Sequence, residues 1–234
     1  MIEFRGFLVA ALACLTLTAC GDGAPSATDK GRVAEKAAES AATAPVDANA
    51  RLIVAFGDSL YAGYGLDGPE GFAPELEKAL KADGLSVTVH NAGVSGDTTA
   101  AGLARLAFTL DGLPKKPDLV LVGLGGNDML RGIGPDQTRA NLDAILTELD
   151  RRQIPAMLTG MLASPNLGQD YVAAFNPIYP SLAREHRAAL YPFFFDGVVG
   201  NAGLIQPDGI HPNAAGVDII VGKLVPEVAE ALGD

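Results

Sequence analysis

Arg51-Leu-Ile-Val-Ala-Phe56 leads directly into Gly57-Asp58-Ser59-Leu60. The first six residues form a short apolar run of the kind that makes a buried strand, so Ser59 falls where a strand ends and the chain turns. Working outward, the same grammar repeats. Residues 86–90, 118–123, 154–159 and 191–195 read as further strands. Helical patterns separate them at 74–82, 98–110, 136–152, 171–190 and 214–232. In the stretch 136–152, Leu142, Ile145, Leu146 and Leu149 share one helix face. Pro177 and Pro180 should bend or break the stretch 171–190, and Pro226 lies inside the last helix. Strands alternating with helices at this spacing predict an α/β fold with a parallel sheet covered on both faces. There is no internal repeat.

Composition narrows the function classes. The 234 residues suffice for one ordinary core plus attachments. Hydrophobic residues make up 48%, aromatics only 6%, and Trp is absent; with 28 Gly this suits helices packed closely on a sheet. A net charge of −11 and the lack of any basic patch argue against nucleic acid as a partner. The two cysteines, Cys14 and Cys20, both precede the domain, which therefore has neither a disulfide nor a zinc-type Cys/His cluster.

Residues 1–20 read as an address. Glu3 and Arg5 flank the start of an apolar stretch, 6–19, that falls short of the roughly 20 residues a membrane span needs. It ends in Leu17-Thr18-Ala19-Cys20, which resembles the bacterial lipobox, in which the cysteine becomes the acylated first residue. An ordinary signal peptide is the competing reading. Residues 21–49, rich in Ala, Gly, Ser, Thr, Pro and Asp, cannot bury a core and read as a flexible tether spanning about 30 Å. Residues 50–234 hold the folded domain. A lipid anchor at Cys20 implies the bacterial cell envelope. Gly21 in place of Asp favours the outer membrane.

The chemistry sits in four segments that begin at predicted strand ends: Gly57-Asp-Ser59, residues 91–96, Gly125-Gly-Asn127-Asp128 and the loop Asp208-Gly-Ile-His211-Pro212. In open parallel sheets, ligands bind beyond the carboxyl ends of the strands, so the four should converge on one edge. Ser59 is the candidate nucleophile; a hydroxyl needs an adjacent base, and a serine capping a turn is the plain alternative. His211 is the candidate base, with Asp208 three residues earlier to accept from one ring nitrogen and fix the tautomer. Of the other histidines, His90 ends a strand and His186 lies in a helix among charged residues, and both read as structural or solvated. Asn127 suits an oxyanion donor, although Gly-Gly-Asn-Asp also suits a turn. Gly96 is the candidate backbone donor, with Gly93 in competition. A Gly-x-Ser-x-Gly elbow around Ser95 fails, because position 97 is Asp97. Asp58 and Asp128 are expected to hydrogen-bond loop backbone and stiffen the site rather than bind a metal.

Taken in order, Gly-Asp-Ser-Leu at 57–60, Ser-Gly-Asp-Thr at 95–98, Gly-Leu-Ala-Arg-Leu at 102–106, Gly-Gly-Asn-Asp at 125–128, Ile-Tyr-Pro at 178–180, Pro-Phe-Phe at 192–194 and Asp-Gly-Ile-His-Pro at 208–212 resemble the SGNH/GDSL hydrolases. The closest branch is that of thioesterase I, arylesterase and lysophospholipase L1. The resemblance implies a flavodoxin-like three-layer α/β/α sandwich with a five-stranded parallel sheet. It implies a triad of Ser59, Asp208 and His211, an oxyanion hole of Ser59 N–H, Gly96 N–H and the Asn127 side chain, and no cofactor. Residues 64–71 and 160–168 depart from the branch, and Phe72 stands where Trp is frequent, so acyl-chain preference does not carry over.

The expected function is a lipid-anchored, extracytoplasmic serine ester hydrolase working through an acyl-enzyme, as a monomer. Aryl or short-chain esters are the first choice of substrate. Lysophospholipids suit a membrane-tethered enzyme, whereas export and the acidic charge argue against coenzyme A thioesters. The alternatives are a carbohydrate O-acetyl esterase and a non-catalytic binding lipoprotein.

Overall fold

The computed structural model describes residues 49–233. The signal peptide, Cys20 and all of the tether but Asn49 lie outside the described residues. Five strands, all parallel, form one sheet in the order β2-β1-β3-β4-β5. They are β1 (Arg51–Gly57), β2 (Val87–Gly93), β3 (Leu119–Gly123), β4 (Ala156–Thr159) and β5 (Ala189–Tyr191). The helices are α1 (Ser59–Ala62), α2 (Phe72–Ala82), α3 (Thr99–Asp111), α4 (Gly126–Leu130), α5 (Pro135–Arg151), α6 (Gln169–Phe175), α7 (Ile178–His186) and α8 (Ala214–Leu232).

The apolar runs explain the centre of the sheet. Ile53 to Phe56 of β1 and Leu119 to Val122 of β3 are fully buried, as strands covered on both faces must be. Helices α2 and α8 pack together in one layer, and α3, α5 and α7 in the other. The α5 face of Leu142, Ile145, Leu146 and Leu149 is buried as its spacing predicts. The result is the expected three-layer α/β/α sandwich.

The stretch 171–190 breaks, as its prolines predict, into two helices, α6 and α7, parted at Asn176-Pro177, where the proline ring cannot continue α6. Two other elements differ from the sequence reading. Strand β2 runs on through Asn91 and Ala92 to Gly93, because β1 offers it a parallel partner at every residue. That ladder overrides the turn preference of Asn and Gly. The fifth strand stops at Tyr191 rather than filling 191–195, since Pro192 has no N–H to give a ladder. The Phe193-Phe194-Phe195 run instead turns over the sheet: Phe194 N–H donates to Gly160 O at 2.8 Å and its ring is buried.

Candidate active site

The order β2-β1-β3 places a topological switch point at the carboxyl ends of β1 and β3, where a crevice forms. Tyr61 of α1 lies directly over it. A Cβ on Gly57 or Gly123, the last residues of the two strands, would collide with the Tyr61 ring. Both positions therefore require glycine. The Tyr61 hydroxyl shares a 2.7 Å hydrogen bond with Thr159 at the end of β4. This plug sets the level at which α1 begins, and Ser59 is its first residue. Arg105 of α3 secures the same corner: its Nη2 donates to Gly57 O at 2.9 Å, and its guanidinium covers the Phe56 ring at 4.1 Å.

His211 is joined to Ser59 across 152 residues of chain, with Nε2 2.8 Å from Oγ. Its Nδ1 lies 2.6 Å from Asp208 Oδ2. Asp208 Oδ1 accepts from the N–H groups of Ile210 at 2.9 Å and His211 at 3.0 Å. Those two backbone donors, followed by the ring N–H, hold the carboxyl down at about 2. An ionised Asp208 accepts only, so Nδ1 carries the proton and Nε2 presents its lone pair to the serine hydroxyl. Ser59, Asp208 and His211 are thus brought into one hydrogen-bonded chain. The Tyr64 ring lies against the imidazole, centroid to centroid 4.6 Å. Gln206 Nε2 donates to Tyr64 O at 2.7 Å and to Pro212 O at 2.9 Å, bracing one loop against the other.

Gly96 and Asn127 line the same cleft as Ser59 and His211. Gly96 has φ +85°, a conformation that favours glycine, and its carbonyl accepts from Arg131 at 2.7 Å. Gly93 closes β2 outside the cleft, and its N–H is engaged by Asn91 Oδ1 at 2.9 Å. Asp128 is fully buried and accepts from the Thr99 N–H at 2.8 Å and from the hydroxyls of Thr99 and Thr138. It ties the start of α4, which carries Asn127, to the start of α3, which follows the Gly96 loop. Asp58, 3% exposed, accepts from Leu60 N–H and from Asn127 Nδ2, each at 3.0 Å. Burial pushes its carboxyl up to about 6, against those two hydrogen bonds and the nearby His211.

The cleft above these groups measures about 940 Å³. Its walls are largely apolar: Met129 and Leu130 after β3, Met161 and Leu162 after β4, and Phe193 and Phe195 after β5. Leu130, Leu162, Val199 and Ile210 keep large exposed surfaces around it. The arrangement offers an activated hydroxyl, a poised base and two N–H-bearing positions at the floor of an apolar trough.

Of the remaining histidines, His90 is exposed on the edge strand β2. His186 joins α7 to α5, with Nδ1 2.6 Å from Asp150 and Nε2 2.9 Å from Asp143. Sequence reasoning missed Tyr64, Gln206, Arg105 and Thr99 as supports of the site. Their partners are far away in the chain, and only the glycine-rich character of 64–71 marked that segment as unusual.

Comparison with known proteins agrees with the fold. The profile of the GDSL-like lipase/acylhydrolase family matches residues 55–219. Esterase TesA of Pseudomonas aeruginosa is 39% identical over 185 residues, covering 79% of this chain and 91% of that protein. An arylesterase of Vibrio mimicus is 38% identical over 170 residues, 73% of this chain and 84% of the relative. The crystal structure of AlinE4, an SGNH-hydrolase family esterase, superposes with a TM-score of 0.67 at 53% identity, covering 78% of this chain and 97% of that one. With a family profile spanning most of the domain and relatives this similar over nearly their whole length, the chain belongs to the GDSL-like lipase/acylhydrolase family.

Proposed function

We propose that Ser59 is the nucleophile of a two-step ester hydrolysis, with His211 as general base and Asp208 as its orienting acid. The chain is a serine ester hydrolase by family, and the observation that carries the residue roles is the unbroken run from Asp208 Oδ2 to His211 (2.6 Å) and from His211 to Ser59 Oγ (2.8 Å). Ser59 Oγ attacks the ester carbonyl while its proton passes to Nε2. The oxyanion that forms accepts from the N–H groups of Ser59 and Gly96 and from the Asn127 amide. His211 returns the proton to the leaving alcohol, releasing it and leaving the acyl group on Ser59. Water then attacks the acyl-enzyme with His211 again as base, and His211 hands that proton to Ser59 Oγ as the Oγ–acyl bond breaks and the carboxylic acid leaves.

The apolar walls of the cleft suit a hydrophobic acyl or aryl group better than a sugar, which would leave polar groups unpaired. That favours aryl and short-chain carboxylic esters over a carbohydrate O-acetyl esterase, and the relatives named esterase and arylesterase support the same choice. We further propose that the enzyme is anchored to the bacterial cell envelope by lipid on Cys20, a reading supported by the lipobox-like Leu17-Thr-Ala-Cys20 and the tether after it.

The test is hydrolysis of p-nitrophenyl esters from acetate to palmitate by the full chain and by Ser59→Ala. Loss of at least about 10³ in turnover in the variant, with labelling of the wild-type serine by a phosphonate, is the expected result. Equal activity in the two proteins would sink the mechanism. For the anchor, Cys20→Ala should move the enzyme from the membrane to the soluble fraction; unchanged membrane retention would refute it.

A further inference from the structure

Asp58 has no step in the hydrolysis, yet it is buried against the residues that do. It stands between the end of β1 and Ser59, 3% exposed, with both oxygens committed. Oδ1 accepts from Leu60 N–H at 3.0 Å and so caps α1, the helix that opens with Ser59. Oδ2 accepts from Asn127 Nδ2 at 3.0 Å, across 69 residues of chain.

A carboxamide has two ends of nearly the same shape and opposite chemistry. Turning it by half a rotation exchanges an NH₂ donor for a carbonyl acceptor at little steric cost. An oxyanion hole works with only one of these orientations. We propose that Asp58 is a positioning residue for the oxyanion hole, its accept-only carboxylate selecting the Asn127 rotamer that turns NH₂ rather than the carbonyl oxygen toward the substrate oxygen. In the selected orientation one Nδ2 hydrogen goes to Asp58 and the second is left for the cleft that Asn127 lines. In the flipped orientation Asn127 Oδ1 meets Asp58 Oδ2 with no hydrogen between them. The inference rests on Asn127 being an oxyanion donor.

The selection weakens when Asp58 gains a proton, since its carboxyl then both donates and accepts. Burial is what brings that proton within reach, at about 6. The groups that face this carboxyl are His211 from the loop before α8, Asp97 from the loop before α3, and the hydroxyls of Tyr61 in α1 and Tyr179 in α7. Asp97 is paired with Arg105 at 2.5 Å, and burial raises both tyrosines, keeping them neutral. His211 favours the charged form of Asp58 and Asp97 opposes it.

A double-mutant cycle on the full chain tests the proposal, with p-nitrophenyl butyrate as substrate and kcat and KM measured separately for wild type, Asp58→Asn, Asn127→Ala and the double variant. Asn127→Ala should lose about 10²–10³ in kcat. Asp58→Asn, which offers one acceptor where two are needed, should lose about 10- to 100-fold in kcat with KM changed less than about twofold. The double variant should be no slower than Asn127→Ala alone. Losses that multiply in the double variant, or an Asp58→Asn enzyme as fast as wild type, would overturn the proposal while leaving the oxyanion role of Asn127 standing. If Asn127→Ala cost nothing, the oxyanion reading would fail, and the proposal with it. The wild-type enzyme supplies a second check free of any folding defect. The acid limb of its log(kcat/KM) profile should be steeper than that of Asp58→Asn, because protonation of Asp58 weakens the selection and the variant has no such proton to gain. Equal slopes would count against Asp58.

Discussion

His211 and His186 each hold a partner on both ring nitrogens, and the partners decide what each ring can do. His186 sits between two carboxylates, Asp150 and Asp143. Both are acceptors, so the ring satisfies both only when both nitrogens carry protons, and the pairing favours the cation. Burial opposes the charge, but the bonds to Asp143 and Asp150 outweigh it and raise the histidine above its ordinary value. In that form the ring has no lone pair to offer. His211 has a carboxylate on one side and a hydroxyl on the other. A hydroxyl can donate, so Nε2 can stay unprotonated and take the proton. The difference teaches that a histidine–aspartate pair is not a signature of a base: the second partner decides whether a ring nitrogen is free to take a proton.

The sharpest way to break this comparison is Asp208→Asn. An amide can present its NH₂ to Nδ1 and hold the wrong tautomer, so kcat should fall by about 10²–10⁴ with KM little altered. A loss below tenfold would mean the tautomer is set elsewhere. A smaller effect is expected at Tyr64, whose tilted ring lies 4.6 Å from the imidazole and would favour the charge the proposed base gains during turnover. Tyr64→Ala should lower kcat by about two- to fivefold and Tyr64→Phe should restore it; a Phe variant as slow as Ala would assign the effect to the hydroxyl instead. The smallest effect belongs to His186. Because its folded value is raised above 6.5, its contribution to stability is complete below 6.5 and is lost as pH rises through the folded value. His186→Gln should therefore cost up to about 1 kcal/mol in denaturant unfolding near pH 5.5 and almost nothing near pH 9, with kcat unchanged throughout. A cost that is the same at both pH values would show that the imidazole packs there without charge.

Much of the fold was legible because its signals are local. The continuous apolar runs of β1 and β3 and the one-sided helix α5 announce their own burial. The site was legible for the same reason: Ser59, Gly96 and Asn127 lie within a few positions of a strand end, whereas Asp208 and His211 sit in a loop well past β5 rather than at a strand end and were marked by their own three-residue spacing. What escaped depends on contacts that leave no spacing in the chain. The aromatic run 193–195 has strong strand preference, yet Pro192 ends the ladder and the rings become part of the core and the cleft wall. The bend or break between α6 and α7 was foreseen, but its place at Asn176 also reflects a tertiary bond, Asn176 Oδ1 accepting from Ala163 N–H at 2.8 Å beside the cleft. The Gln206 brace on Tyr64 spans 142 residues, and no periodicity in either segment points to the other.

Arg51 opens β1 at the end of the sheet remote from the cleft, and its Nη1 donates to Leu232 O at the close of α8, 2.9 Å away. The entrance and exit of the fold are thus neighbours, a strand length of about 20 Å from the mouth that admits substrate. A short peptide can bridge them, and the exposed residues 114–116 of the turn before β3 offer a place to reopen the chain. The enzyme is therefore suited to circular permutation, to insertion within another protein, and to immobilisation on a bead by either end, with the trough left facing outward.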